Sequence, residues 1–123
     1  MLIRNKQFAA LDIAQRRSFE DRVYAHLRKF FPEETEEIPE ERLREIIREE
    51  TATAEHFQIE NERDVANYIS AIFALRPDPD VDPEPTWVKE VLADPDLSAS
   101  EKVKRLQEWV EEELEGQEAD DSE

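Results

Sequence analysis

A chain of 123 residues is long enough for a single modest core, and with 33 Asp/Glu against 16 Lys/Arg it carries a formal charge of −17. It has no cysteine, which rules out a disulfide framework, a thiolate nucleophile and a zinc-cysteine site. The single glycine disfavours any architecture of many tight hairpins.

The 38% hydrophobic residues recur at helical spacing, so the chain reads as folded despite a charged fraction of 40%. The pattern predicts an all-α fold: a compact bundle of about five helices around a central apolar helix over residues 62–75. An acidic proline-rich loop should follow that helix. Residues 1–116 are expected to form one helical domain, and residues 117–123 a disordered acidic tail with nothing to bury. There is no apolar run of about 18 residues and no apolar centre behind Met1-Leu2-Ile3-Arg4, so a soluble, cytoplasmic protein is expected.

Helix one should run from about Asn5, as N-cap, to Phe31. Phe8, Leu11, Phe19, Val23, Leu27 and Phe30 fall on one face, with His26 near its middle. Pro32 ends it, because the residue before a proline is pushed out of the α region. Glu33 to Ile38 reads as an acidic linker. Pro39, at the first helical position, opens a second helix with Leu43, Ile46, Ile47, Ala54 and Phe57 on one face. Asn61 caps the central helix, whose apolar arc is Val65, Tyr68, Ile69, Ile72 and Phe73. After the loop Arg76 to Pro85, Thr86 is the expected cap of a short helix carrying Trp87, Val88, Val91 and Leu92, broken by Asp94-Pro95. Ser98 and Glu101 form a capping box for the last helix, with Val103, Leu106, Val110 and Leu114 as its stripe and Gly116 as its stop.

Charge is unevenly spread. Residues 1–31 hold seven Lys/Arg against three Asp/Glu, and the remainder nine against thirty. The acidic majority repels nucleic-acid phosphates and attracts a basic protein, so neither nucleic acid nor membrane is expected as a partner. The arginines of the first helix could also pair within the chain, against the acidic second and last helices.

Motifs for chemistry are sparse. Asp78, Asp80 and Asp82 alternate like the first ligands of a calcium-binding EF-hand loop, but Pro83 stands where that loop needs glycine and Lys89 where it needs a bidentate glutamate. His26 and His56 belong to no metal-ligating pair; His26 reads as a partly buried core histidine, and His56 near the end of the second helix favourably meets the negative end of its dipole. There is no phosphate loop and no nucleophile elbow. No catalytic, cofactor or metal residue is therefore assigned, and no enzymatic activity is expected. The binding candidates are Trp87 and Trp109, since tryptophan commonly anchors interfaces, together with the loop acids Asp78, Asp80, Asp82 and Glu84.

Phe19-Glu20-Asp21-Arg22 with His26-Leu27 and Phe31-Pro32, then Glu62-Arg63-Asp64-Val65, then Asp80-Val81-Asp82-Pro83 followed by Trp87, resembles a group of small bacterial helical proteins. Members of that group tend to be encoded beside type VI secretion or similar toxin-delivery components. The resemblance implies an adaptor, chaperone or immunity-like partner of such a system, and it carries no catalytic residues. Two other readings stand beside this one: an acidic mimic that fills the basic groove of a nucleic-acid enzyme, and an enzyme or metal-dependent protein with no recognisable motif.

Overall fold

The computed structural model describes residues 11–75 and 85–121, with side chains as far as Glu112. Among them are six helices and no strand: α1 (Ile13–Phe30), α2 (Pro32–Thr35), α3 (Glu40–His56), α4 (Glu62–Leu75), α5 (Thr86–Ala93) and α6 (Ala99–Asp121). The protein is an all-α bundle, as the periodicity predicts.

The central helix is where the apolar pattern puts it. In α4, Val65, Tyr68, Ile69, Ile72 and Phe73 are all buried, and the helix packs against α1, α3 and α6. Its arc is wide enough to serve three neighbours, because Ala71 adds a further buried position beside it. Asn61 caps it as expected: the Asp64 backbone N–H donates to Asn61 Oδ1 at 2.8 Å. The same turn is tied to α6, since Ser100 Oγ donates to Asp64 Oδ2 at 2.8 Å.

The cross-links between helices give their directions. Arg22 meets Glu62, and the Phe31 ring lies edge-on to Phe73 at 5.3 Å, so α1 and α4 run side by side in the same sense. Arg16 meets Glu55 and Glu20 meets Arg48, so α1 and α3 run in opposite senses. The chain therefore rises through α1, descends α3 and rises again through α4.

The start of α1 differs from expectation. The helix begins at Ile13, where Asp12 and Gln15 form a reciprocal capping box: the Gln15 N–H donates to Asp12 Oδ1 at 2.8 Å, and the Asp12 N–H to Gln15 Oε1 at 3.0 Å. A cap at Asp12 satisfies the orphan donors there, so one helix cannot run unbroken from Asn5. Asn5 and Phe8 lie outside the described residues.

The predicted linker after Phe31 contains a short helix instead. Pro32 stands at its first position, Glu33 and Glu34 lie at its positive end, and the Thr35 hydroxyl donates back to the Phe31 carbonyl at 2.8 Å. Pro39 and Pro85 are N-caps with extended backbone rather than helical residues, and Thr86 is the first residue of α5 rather than its cap.

The closure of α3 uses no glycine. The Ile59 N–H donates to the Ala54 carbonyl and the Gln58 N–H to the Glu55 carbonyl, both at 2.9 Å, with Gln58 at φ 67°. This is a Schellman motif with glutamine in the left-handed position that glycine usually fills. The box at α6 forms as read: the Ser98 N–H donates to Glu101 Oε1 at 3.0 Å, and the Glu101 N–H to Ser98 Oγ at 3.2 Å. The backbone N–H and the hydroxyl of Ser98 hold the Glu101 carboxyl below its ordinary range. Gly116 does not stop α6, which continues to Asp121 through the segment expected to be without structure. A lone glycine costs a helix about 1 kcal/mol but removes no hydrogen bond.

Candidate interaction surface

The α5–α6 hairpin places both tryptophans. Asp94 ends α5 and its Oδ1 accepts the Asp96 N–H at 2.8 Å, a tight local turn that reverses the chain before the Ser98 box. Trp87, at the head of α5, thus comes back against Trp109, with ring centroids 4.7 Å apart and planes tilted by 32°. Beneath them Val88, Leu92, Val103 and Leu106 are fully buried. Trp87 is half-buried against this core, whereas Trp109 keeps 39% of its surface exposed. That difference follows from register. Val103, Leu106 and Val110 face inward, and Trp109, one step off that stripe, projects at its edge.

Around Trp109 lies a shallow depression of about 440 Å³ lined also by Arg105, Glu108, Glu111 and Glu112. None of these four charged side chains has an ion pair among the described residues. Of the other expected binding residues, Asp78, Asp80, Asp82 and Glu84 lie outside the described residues.

The basic first helix spends much of its charge internally. Arg16 reaches Glu55 of α3 at 3.6 Å, and Arg22 reaches Glu62 of α4 at 3.1 Å. Arg28 donates to the carbonyls of Thr35 and, at 2.8 Å, Ile38, and so closes the carbonyl end of α2. Traffic also runs the other way. Arg44 of α3 reaches Glu20 at 2.8 Å and Asp21 at 2.7 Å on α1, as well as Glu40 in its own first turn at 3.0 Å, and Arg48 reaches Glu20 at 2.7 Å.

Burial works to raise the Glu20 carboxyl, but the hydrogen bonds and charges of Arg48 and Arg44 prevail and hold it below its ordinary range. The bonds that Arg44 donates to Glu20, Asp21 and Glu40 in turn raise the pKa of its guanidinium. Arg44 and Arg28 also lie against the Tyr24 ring, at 4.7 and 5.1 Å from its centroid. Arginine–carboxylate pairs of this kind give structural register between α1 and α3. They offer no nucleophile or poised base.

Comparison with protein families, curated proteins and solved structures yields no match for this chain.

Two further surfaces lie on α1. A half-open groove of about 360 Å³ runs between α1 and α3, floored by Phe19, Ile47 and Ala52, with Ile13 on its rim at 88% exposure. On the outer face of α1 the His26 and Phe30 rings stack at 4.5 Å, with Phe30 60% exposed. This corrects the reading of His26 and Phe30 as members of the buried face. The buried arc of α1 is the narrower Phe19, Val23 and Leu27, and Phe31, bent inward past the helix end, fills the core position against Phe73. Contact with its surroundings disfavours the charged His26 imidazole, the neighbouring Lys29 repels it, and both lower its pKa. Among the described residues no cluster of His, Asp and Glu has metal-holding geometry. No helix among them is long and apolar enough to cross a membrane.

Proposed function

We propose that this protein is a non-catalytic interaction module that holds another protein through the α5–α6 hairpin. The observation that carries this reading is the half-exposed Trp109, backed by Trp87 and set in a surface otherwise made of charge. A large aromatic ring held rigid by a second ring loses little side-chain freedom on binding, which is why tryptophan contributes disproportionately to interfaces. The excess of 33 acidic over 16 basic residues favours a basic partner. The resemblance noted above supports a component of a bacterial secretion or toxin-delivery system as that partner, with this chain as its adaptor, chaperone or immunity-like companion.

The test is affinity capture from the native cell with the wild-type chain and Trp109→Ala side by side. The expected result is a basic protein retained by the wild type and lost by the variant, whose melting temperature stays within a few degrees of the wild type because the ring is partly solvated already. Identical capture by both chains would remove the hairpin from the interface. Retention of a nucleic-acid enzyme at its own basic groove, independent of Trp109, would replace this reading with that of an acidic mimic.

A further inference from the structure

We infer that the Trp109 surface receives an arginine side chain from a basic segment of the partner, a reading that rests on the hairpin being the interface. Three observations converge on it. Trp87 backs the Trp109 ring, leaving indole surface open to solvent, and among the described residues no cation of the chain sits over either indole. Glu108 and Glu112 are one helical turn apart on the side of α6 from which Trp109 projects, with Glu111 at the margin of the same depression. These three carboxylates are unpaired among the described residues, and Arg105 is the only cation lining the depression.

An occupant must satisfy both parts of this surface. A purely apolar side chain would cover the indole but draw the neighbouring carboxylates out of water without a partner. An anion, including a nucleic-acid phosphate, is repelled. A cation suits both, since an indole face attracts positive charge and the carboxylates neutralise it. Between the two basic side chains, the guanidinium is planar and weakly hydrated. It can lie flat on the ring while its edge donates to a carboxylate, whereas the compact ammonium holds its water more tightly and has no flat face.

The experiment is calorimetric titration of the full chain with hexa-arginine and with hexa-lysine at matched ionic strength. Hexa-arginine is expected to bind more tightly by up to about fivefold, the ceiling set by a whole exposed cation–ring contact, of which lysine makes the weaker version. The double variant Glu108→Gln/Glu112→Gln should abolish that preference. The control Glu36→Gln/Glu37→Gln removes the same charge from exposed positions elsewhere and should keep it.

Trp109→Leu should also lose the preference, and circular dichroism at 222 nm checks that each variant is folded. Equal binding of the two peptides, or equal loss in both double variants, would show attraction to net charge alone and overturn the inference. In that event a partner captured through Trp109 from the native cell would still uphold the hairpin as the interface, so the two readings fail separately.

Discussion

Among the described residues, Gln58 is the one whose backbone lies against its side chain's interest. At φ 67° it occupies the left-handed region, where a Cβ atom crowds the following carbonyl at a cost of about 1–2 kcal/mol. The surrounding structure imposes this conformation. Ile59 must turn down into the core, where it is fully buried, and its N–H must reach the Ala54 carbonyl. The Gln58 side chain itself is exposed, so its replacement empties no packed space. Gln58→Gly should therefore stabilise the protein. The gain from relieved strain is reduced by the greater freedom of glycine in the unfolded chain, leaving about 0.5–1 kcal/mol, or a few degrees in melting temperature. Gln58→Val should move the other way, since a β-branched residue tolerates positive φ least. Thermal unfolding of the three proteins decides the matter, and a glycine variant that melts below the wild type would refute the strain account.

At the scale of elements, the α1–α3 contact is held by Glu20, which accepts from Arg44 and Arg48 while only 12% of its side chain is exposed. Its carboxyl lies below its ordinary range in the folded state. The stabilisation that follows from this is complete above the unfolded value of about 4.3 and lost as pH falls through the lower folded value. Glu20→Gln should accordingly cost about 1–2 kcal/mol near neutral pH, the scale of hydrogen bonds to a charged group, moderated by the exposure of Arg48. The gap between variant and wild type should narrow as pH drops below about 4.3, which urea unfolding at a series of pH values measures. A gap independent of pH would mean that side-chain shape matters there and charge does not.

These same elements show which parts of the fold could be read from sequence. The caps at Asn61 and Ser98, the stripes of α3 and α4, and that of α6 as far as Val110 have local signatures, and those held; the Leu114 side chain lies outside the described ones. The Asp12–Gln15 box had a signature too, but the apolar spacing of Phe8 and Leu11 pulled the predicted start of α1 upstream of it. By contrast, the reach of Arg28 to Thr35 and Ile38, and of Arg44 to Glu20 and Asp21, depends on how helices are brought together. No periodicity encodes those pairings. Of the candidate interface, the tryptophans stood out by residue type. Their contact did not, because it depends on the tight reversal at Asp94 that sets the register of α5 against α6.

At the scale of the whole molecule, a formal charge of −17 on 123 residues acts against compactness through self-repulsion. The ion pairs between α1 and α3 act in its favour, so salt weakens two opposing effects at once, and burial decides which loses more. Glu20 is largely shielded from solvent, and pairs in such positions are poorly screened. The exposed carboxylates, among them Glu33, Glu34, Glu36, Glu37, Glu108, Glu111 and Glu112, meet mobile ions directly. Raising NaCl from 0.1 to 1 M shrinks the screening length from about 10 to 3 Å, which removes most repulsion among exposed groups but leaves contact pairs largely intact. The melting temperature should therefore rise with salt, and Glu36→Gln/Glu37→Gln should show a smaller rise than the wild type because less repulsion is left to screen. Thermal circular dichroism across that range measures both effects. A fall in melting temperature would mean that the arginine network, rather than the acidic surface, dominates the electrostatic balance of the fold.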